Sequence, residues 1–160
     1  MTERLTVRRV EVADVAALRA LRLEALTEAP EAFGSTYQRE VDRTEAEWHR
    51  WLTLGGTFFL EADGVPRGLV SGMRDPQDPQ IVFLMAMWVH PRLRGSGAAD
   101  LLVARNREWA GAVGATRVRL TVVSTNERAR RLYARNGFQL TGRQSTLEDG
   151  RVELQMERPV

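Results

Sequence analysis

Residues 81–89, IVFLMAMWV, are apolar at every position, and a few residues later the chain runs through Arg94-Gly95-Ser96-Gly97 into Ala98-Ala99-Asp100-Leu101-Leu102. An apolar run without alternation predicts a strand covered on both faces, at the centre of a sheet. The helix formers after it predict a helix from about Gly97 to Val113, with Leu101, Leu102, Trp109 and Val113 inward. Strand and helix therefore meet at two glycines, which let other groups approach the backbone closely. A helix N-terminus leaves about four N–H groups without intrahelical partners and carries roughly half a positive charge, so this joint suits a phosphate. Arg92 and Arg94 add guanidinium forks able to meet it. A tight turn is the plainer account of the same glycines.

Other phosphate and nucleophile motifs fail on particular residues. A Walker loop needs Gly-Lys-Ser/Thr, and the sequence contains no Lys. A dinucleotide fingerprint needs a third glycine where Asp100 stands, and an opening βαβ unit. A nucleophile elbow needs glycine where Arg94 precedes Ser96, which reads instead as a helix-entry residue. Two histidines, no cysteine and no clustered carboxylates give no metal-ligand spacing.

The rest of the chain reads as one domain over residues 1–160. Residues 5–11 alternate as a strand, and Asp14 is expected to cap a helix reaching about Thr27, with Val15, Leu18, Leu21 and Leu26 at helical spacing. Pro30 to Tyr37 reads as a loop. A second helix is expected from Thr44, with Glu47 completing a capping box, to about Leu54, ended by Gly55-Gly56. Asp63-Gly64 marks a hairpin. Arg117 to Val123 is another strand, Asn126 to Arg135 a short helix closed by Asn136-Gly137, and Phe138 to Gln144 with Arg151 to Glu157 a last pair around Asp149-Gly150. The order β-α-α-β-β-β-α-β-α-β-β makes an α/β chain with a mixed sheet, too irregular for a doubly wound fold.

With 43% apolar and 28% charged residues the composition is that of a soluble globular chain, and no stretch approaches the ~20 apolar residues of a membrane span. The segment Met1-Thr-Glu-Arg-Leu lacks the apolar core of a secretory signal, and the absence of cysteine removes any disulfide framework, so the cytoplasm is the expected compartment. All 23 basic residues are Arg, which is why a net charge of only +2 yields a pI near 9.9. Arg128, Arg130, Arg131 and Arg135 are the nearest thing to a basic stripe, and a solvated helix face explains them without nucleic acid.

The stretch Val89-x-Pro91-x-x-Arg94-Gly95-Ser96-Gly97-Ala98-Ala99 resembles the acetyl-CoA signature of the GNAT acetyltransferases, Gln/Arg-x-x-Gly-x-Gly/Ala. A second stretch, Asn126-x-x-Ala129-x-x-Leu132-Tyr133-x-x-x-Gly137-Phe138, is similar to the segment that follows it in that family. The order of elements matches end to end. The resemblance implies a GNAT fold: a mixed central sheet of about seven strands with four helices on its faces. It also implies acetyl-CoA as cosubstrate, without a metal. Its pantetheine arm would lie along the backbone of Met87, Trp88 and Val89. Its pyrophosphate would rest on the N–H groups of Gly95, Ser96, Gly97, Ala98, Ala99 and Asp100, beside Arg94. Asn126 would bind the coenzyme arm, and Tyr133 would give a proton to the departing sulfur.

What the resemblance leaves open is the general base and the acceptor. Ribosomal-protein N-terminal acetyltransferases commonly carry a Glu where this chain has Thr121, and the strand 81–89 has no carboxylate. Glu24, Glu31, Glu40 and His90 are the candidates, directly or through water. The acceptor is expected to be a primary amine, on a small molecule or a protein N-terminus, bound among the first two helices, the loop at 30–43 and the last hairpin. A catalytically idle acyl-CoA-binding sensor is the alternative. A homodimer would find interface material in Trp48, Trp51 and the C-terminal strand.

Overall fold

The computed structural model describes residues 2–160. In chain order the elements are β1 (Leu5–Arg9), α1 (Val15–Glu28), α2 (Tyr37–Val41), α3 (Glu45–Leu54), β2 (Gly55–Ala62), β3 (Val65–Arg74), β4 (Ile81–Val89), α4 (Ala98–Ala112), β5 (Arg117–Val123), α5 (Glu127–Arg135), β6 (Gln139–Thr146) and β7 (Val152–Pro159). The strands form one seven-stranded sheet in the order β1-β2-β3-β4-β5-β7-β6. Only the β4–β5 pair is parallel, so the sheet is mixed, as expected.

Local chemistry explains most boundaries. Asp63 and Gly64 have φ of 48° and 81°, the two left-handed residues of a tight hairpin turn between β2 and β3. Thr44 Oγ1 accepts from the Glu47 N–H, and the Glu47 carboxylate accepts from the Thr44 N–H, each at 3.2 Å, closing the capping box of α3. Asn126 caps α5 by accepting from the Ala129 N–H at 3.2 Å, and Gly137 follows that helix at φ 90°.

Several expectations need correction. The loop after α1 holds a 3-10 turn at Pro30–Ala32 and a fifth helix, α2, capped by Thr36, whose hydroxyl accepts from the Arg39 N–H. Five residues are too few to show a helical period. Asp14 does not cap α1 with its side chain; its carboxylate accepts from the Glu11 N–H at 2.9 Å and from Arg8 at 2.9 and 3.0 Å. Gly55 ends α3 as its C-cap, as expected, and with Gly56 it also opens β2. A Cβ on Gly55 would lie 2.1 Å from the Gly72 carbonyl oxygen and one on Gly56 2.5 Å from the Trp109 ring, so packing requires both glycines.

The sheet's two faces carry separate cores. Phe58, Leu60, Val70 and Val118 pack with Leu102 and Val103 of α4, while Phe59, Leu69 and Trp88 pack with Leu18 and Leu26 of α1 and Trp48 of α3. The alternation Phe58, Phe59, Leu60 along β2 feeds both, as a strand covered on each face must. The inward stripe of α4 is Ala98, Leu102, Val103, Asn106 and Ala110. Leu101 lies one residue off that stripe and is 44% exposed, contrary to expectation. Trp48 is buried in the core at 1% exposure, leaving almost no surface to offer an interface, and β7 is an inner strand flanked by β5 and β6. Among the described residues no helix is long and apolar enough to cross a membrane.

Candidate active site where the central strands part

β4 and β5 pair only over their first three residues, Ile81–Phe83 against Arg117–Arg119. On its other side β4 pairs with β3 nearly throughout, but Leu69 faces Trp88 while Ser71 faces Met85, so β4 carries one extra residue there. Ala86 takes φ 58° in that interval. Such a bulge bends and twists a strand, and beyond it β4 has left β5. The β5-facing backbone edge from Leu84 to Val89 is thus without a strand partner among the described residues. Met85 in this stretch is 41% exposed, so the strand expected to be covered on both faces opens in its middle.

At the end of β4 the chain makes a 3-10 turn at Pro91–Leu93 and enters α4 through Gly95 and Gly97, at φ 82° and 89°. Those angles admit glycine at little cost and strain any other residue. Ser96 N–H donates to the Leu93 carbonyl at 3.2 Å, and Ala98 N–H to the Ser96 hydroxyl at 3.3 Å. The N–H groups of Gly95, Gly97 and Ala99 have no hydrogen-bond partner among the described residues, and that of Asp100 lies against its own carboxylate. Of the six amides expected at a diphosphate, three are free, two are spent within the turn and one is shared.

Side chains around this joint are tied together. Arg94 forms an ion pair with Glu28 at the end of α1, and Glu28 also accepts from the Trp88 indole N–H at 3.0 Å. The hydrogen bond from Arg94 holds the Glu28 carboxyl below its ordinary pKa. The Asp100 carboxylate grips the Arg135 guanidinium through two 3.0 Å bonds and the Asn136 amide at 2.8 Å, joining the start of α4 to the end of α5. Arg135 likewise lowers the Asp100 pKa. Arg131 pairs with Glu127, and Arg130 donates to the Ser124 carbonyl, so three of the four arginines in the expected stripe are engaged within the protein.

Two cavities flank the parting. One of about 570 Å³ lies toward the start of α4 and is lined by Trp88, Val89, Arg94, Gly95, Gly97 and Asp100, among others. The other, about 610 Å³, lies toward α1–α3 and includes Met85, Thr121, Tyr133 and Glu153. Ala32, Phe33, Met87, Asn126 and Ala129 line both, so they form one groove. The Asn126 amide nitrogen has no partner among the described residues. Tyr133 is buried, with its ring edge-on to Phe138 at 5.8 Å, and burial pushes its pKa well up. Its hydroxyl, without a hydrogen-bond partner among the described residues, therefore keeps its proton at neutral pH.

The candidate bases separate clearly. Glu24 is exposed on α1 and lines neither cavity, and His90 accepts from the Arg92 N–H at 3.1 Å. Glu31 faces the first cavity. Glu40 is 1% exposed and bound to Arg22 through bonds of 2.8 and 2.9 Å. The carboxylate missed in the sequence is Glu153 of β7, which lines the cavity with Tyr133 and accepts from the Thr121 hydroxyl at 3.4 Å. Alternation along β7 puts Glu153 opposite the core-facing Leu154 and Met156, but its place beside Thr121 follows from the β5–β7 register. Among the described residues no three His, Cys, Asp or Glu side chains form a metal-ligating group.

The acetyltransferase (GNAT) family model matches residues 18–138, a span containing β4, the glycine joint and α5. The chain belongs to the GNAT acetyltransferase family. An uncharacterized N-acetyltransferase of Mycobacterium tuberculosis is 37% identical over 114 residues, covering 71% of this chain and 72% of the relative. A GNAT-family acetyltransferase structure from Streptococcus pneumoniae superimposes with a TM-score of 0.83 at 24% identity, covering 98% of this chain and all of that one. The structure of yncA, a putative acetyltransferase from Salmonella typhimurium with its cofactor acetyl-CoA, gives 0.80 at 21% identity over 98% and 94% of the two chains. These two likenesses establish that the seven-stranded mixed sheet of this GNAT protein is the fold of such acetyltransferases.

Proposed function

We propose that this chain is an acetyl-CoA-dependent N-acetyltransferase that moves an acetyl group to a primary amine by direct attack within a ternary complex. The observation that carries the reading is the parted β4 edge running straight into the free amides of Gly95, Gly97 and Ala99. An arm bearing amide groups adds to an open strand edge as another strand would, and a diphosphate suits unpaired N–H groups at a helix start. Arg94 supports it as a donor, provided the phosphate displaces or shares Glu28.

The groove then sets the chemistry. With the arm along Met87–Val89, the thioester reaches the stretch shared by both cavities, beside Ala129 and Tyr133. The amine nitrogen attacks the carbonyl carbon, a C–N bond forms and the C–S bond breaks. The nitrogen's proton passes to Glu153, the one carboxylate of that cavity held by neither an arginine nor a helix cap, and Tyr133 gives its proton to the sulfur. Orientation in the groove supplies several kcal/mol, and each proton-transfer group roughly 10²–10⁴-fold.

The test is calorimetric titration with acetyl-CoA and a thiol-release assay over an amine panel. Micromolar or tighter binding and turnover on at least one amine are expected, with Tyr133→Phe slowing turnover by roughly 10²-fold or more. Absence of acetyl-CoA binding overturns the proposal. Tight binding with no turnover on any amine identifies the acyl-CoA-binding sensor instead.

A further inference from the structure

The α1–α3 side of the groove is unevenly charged. α3 presents Glu47, Arg50, Trp51 and Leu54 to the cavity, an i, i+3, i+4, i+7 stripe, while Trp48 and Leu52 turn into the core. Arg43, in the turn before α3, lies over the rings of Trp48 and Trp51 at 5.3 and 5.7 Å. Neither Arg43 nor Arg50 has a carboxylate partner within ion-pair distance among the described residues. The carboxylates nearest them in the wall are committed: Glu40 to Arg22, and Glu47 to the backbone and hydroxyl of Thr44. Glu153 of β7 and Thr121 of β5 line the same cavity from beyond the parting of the sheet. The wall also carries apolar surface, with Leu54 of the α3 stripe 56% exposed and Met85 of β4 41% exposed.

A cavity with guanidinium groups outside any ion pair on its α3 side, an arginine-free carboxylate on its β7 side and apolar surface in its wall fits a molecule of the reverse polarity. We infer that the acceptor is an amine joined through an apolar body to an anionic group, its amine at Glu153 and its anion between Arg43 and Arg50. The inference rests on the transfer reading above for the direction in which the amine points. Trp51 hydrogen-bonds to Ser71 of β3, and the sheet order β3-β4-β5-β7 sets that contact three strands from Glu153, across the place where β4 and β5 part. Charges held on opposite sides of that parting favour an amine and a carboxylate or phosphate separated by several methylenes, or by a peptide unit with an apolar side chain, over a simple α-amino acid with both charges on one carbon.

The experiment measures binding, so it does not require turnover. The protein, with and without coenzyme A, is titrated calorimetrically with 6-aminohexanoate, 6-aminohexyl phosphate and hexylamine. One of the two anionic probes is expected to bind at least tenfold more tightly than hexylamine, and which one does so names the anion. That preference should shrink with added salt and collapse toward unity in Arg43→Met and Arg50→Met. Arg50 is exposed, so its variant stands should loss of the Arg43 stacking impair folding. Equal affinity for all three probes, or a preference that survives both substitutions, overturns the inference. Failure of the transfer reading shows separately, as probe binding without thiol release from acetyl-CoA.

Discussion

Two carboxylates in one cavity wall have opposite fates, and their neighbours decide which. Glu40 is buried; burial alone would raise its pKa, but Arg22, aided by Ser35, outweighs it and leaves the carboxyl below its ordinary value. The folded-state pKa is thus lower than the unfolded one, so the pair's stabilisation is present above the ordinary Glu value of about 4.3 and is lost as pH falls through the lowered folded value. Denaturant midpoints should hold from neutral pH to about 5 and fall below that. Glu40→Gln strands the Arg22 charge, and a loss of about 3–5 kcal/mol is expected in the same denaturation experiment. Glu153, by contrast, meets only the Thr121 hydroxyl. Glu153→Gln should lower kcat by roughly 10²-fold while leaving calorimetric acetyl-CoA affinity as it was, and Glu153→Asp should recover part of the rate. An unchanged kcat would remove Glu153 from the mechanism.

At the level of elements, the short-range signals were legible because their chemistry is local. Asp63-Gly64, the Thr44–Glu47 box and the Asn126 cap each place donors and acceptors within a few residues, and each stands where the sequence put it. The glycine joint was legible for the same reason: two left-handed residues between a strand and a helix need glycine. Gly55-Gly56 ended α3 where expected, but a further reason for those glycines is remote. Trp109 of α4 lies across Gly56 and Gly72, where added Cβ atoms would stand 2.5 and 2.8 Å from the ring. Gly56→Ala should therefore overpack the α4–sheet contact by about 1–3 kcal/mol. For a chain of this size that is a fall in Tm of about 2–12 °C. Trp109→Leu in the same background should restore part of it, and no effect of Gly56→Ala on Tm would show that the indole moves aside freely.

The whole molecule is organised around a sheet whose middle does not close. If the coenzyme fills that opening and the free amides of α4, it binds only the folded state. At one hundred times its Kd, acetyl-CoA should then add about 2.7 kcal/mol of stability. That appears as a rise in Tm of about 5–11 °C, read by thermal melting. A melting temperature indifferent to acetyl-CoA would mean that the groove does not take it. By itself the sequence determined the strands and the main helices, their order and the glycine entry to α4, because hydrophobic period, caps and turns are properties of neighbouring residues. Only the tertiary structure decided the parting of β4 from β5 beside the bulge at Ala86, the β5–β7 register that sets Glu153 beside Thr121, and the capture of Arg94 by Glu28. Those arrangements depend on which distant segments pack together, and no local pattern of side chains encodes that.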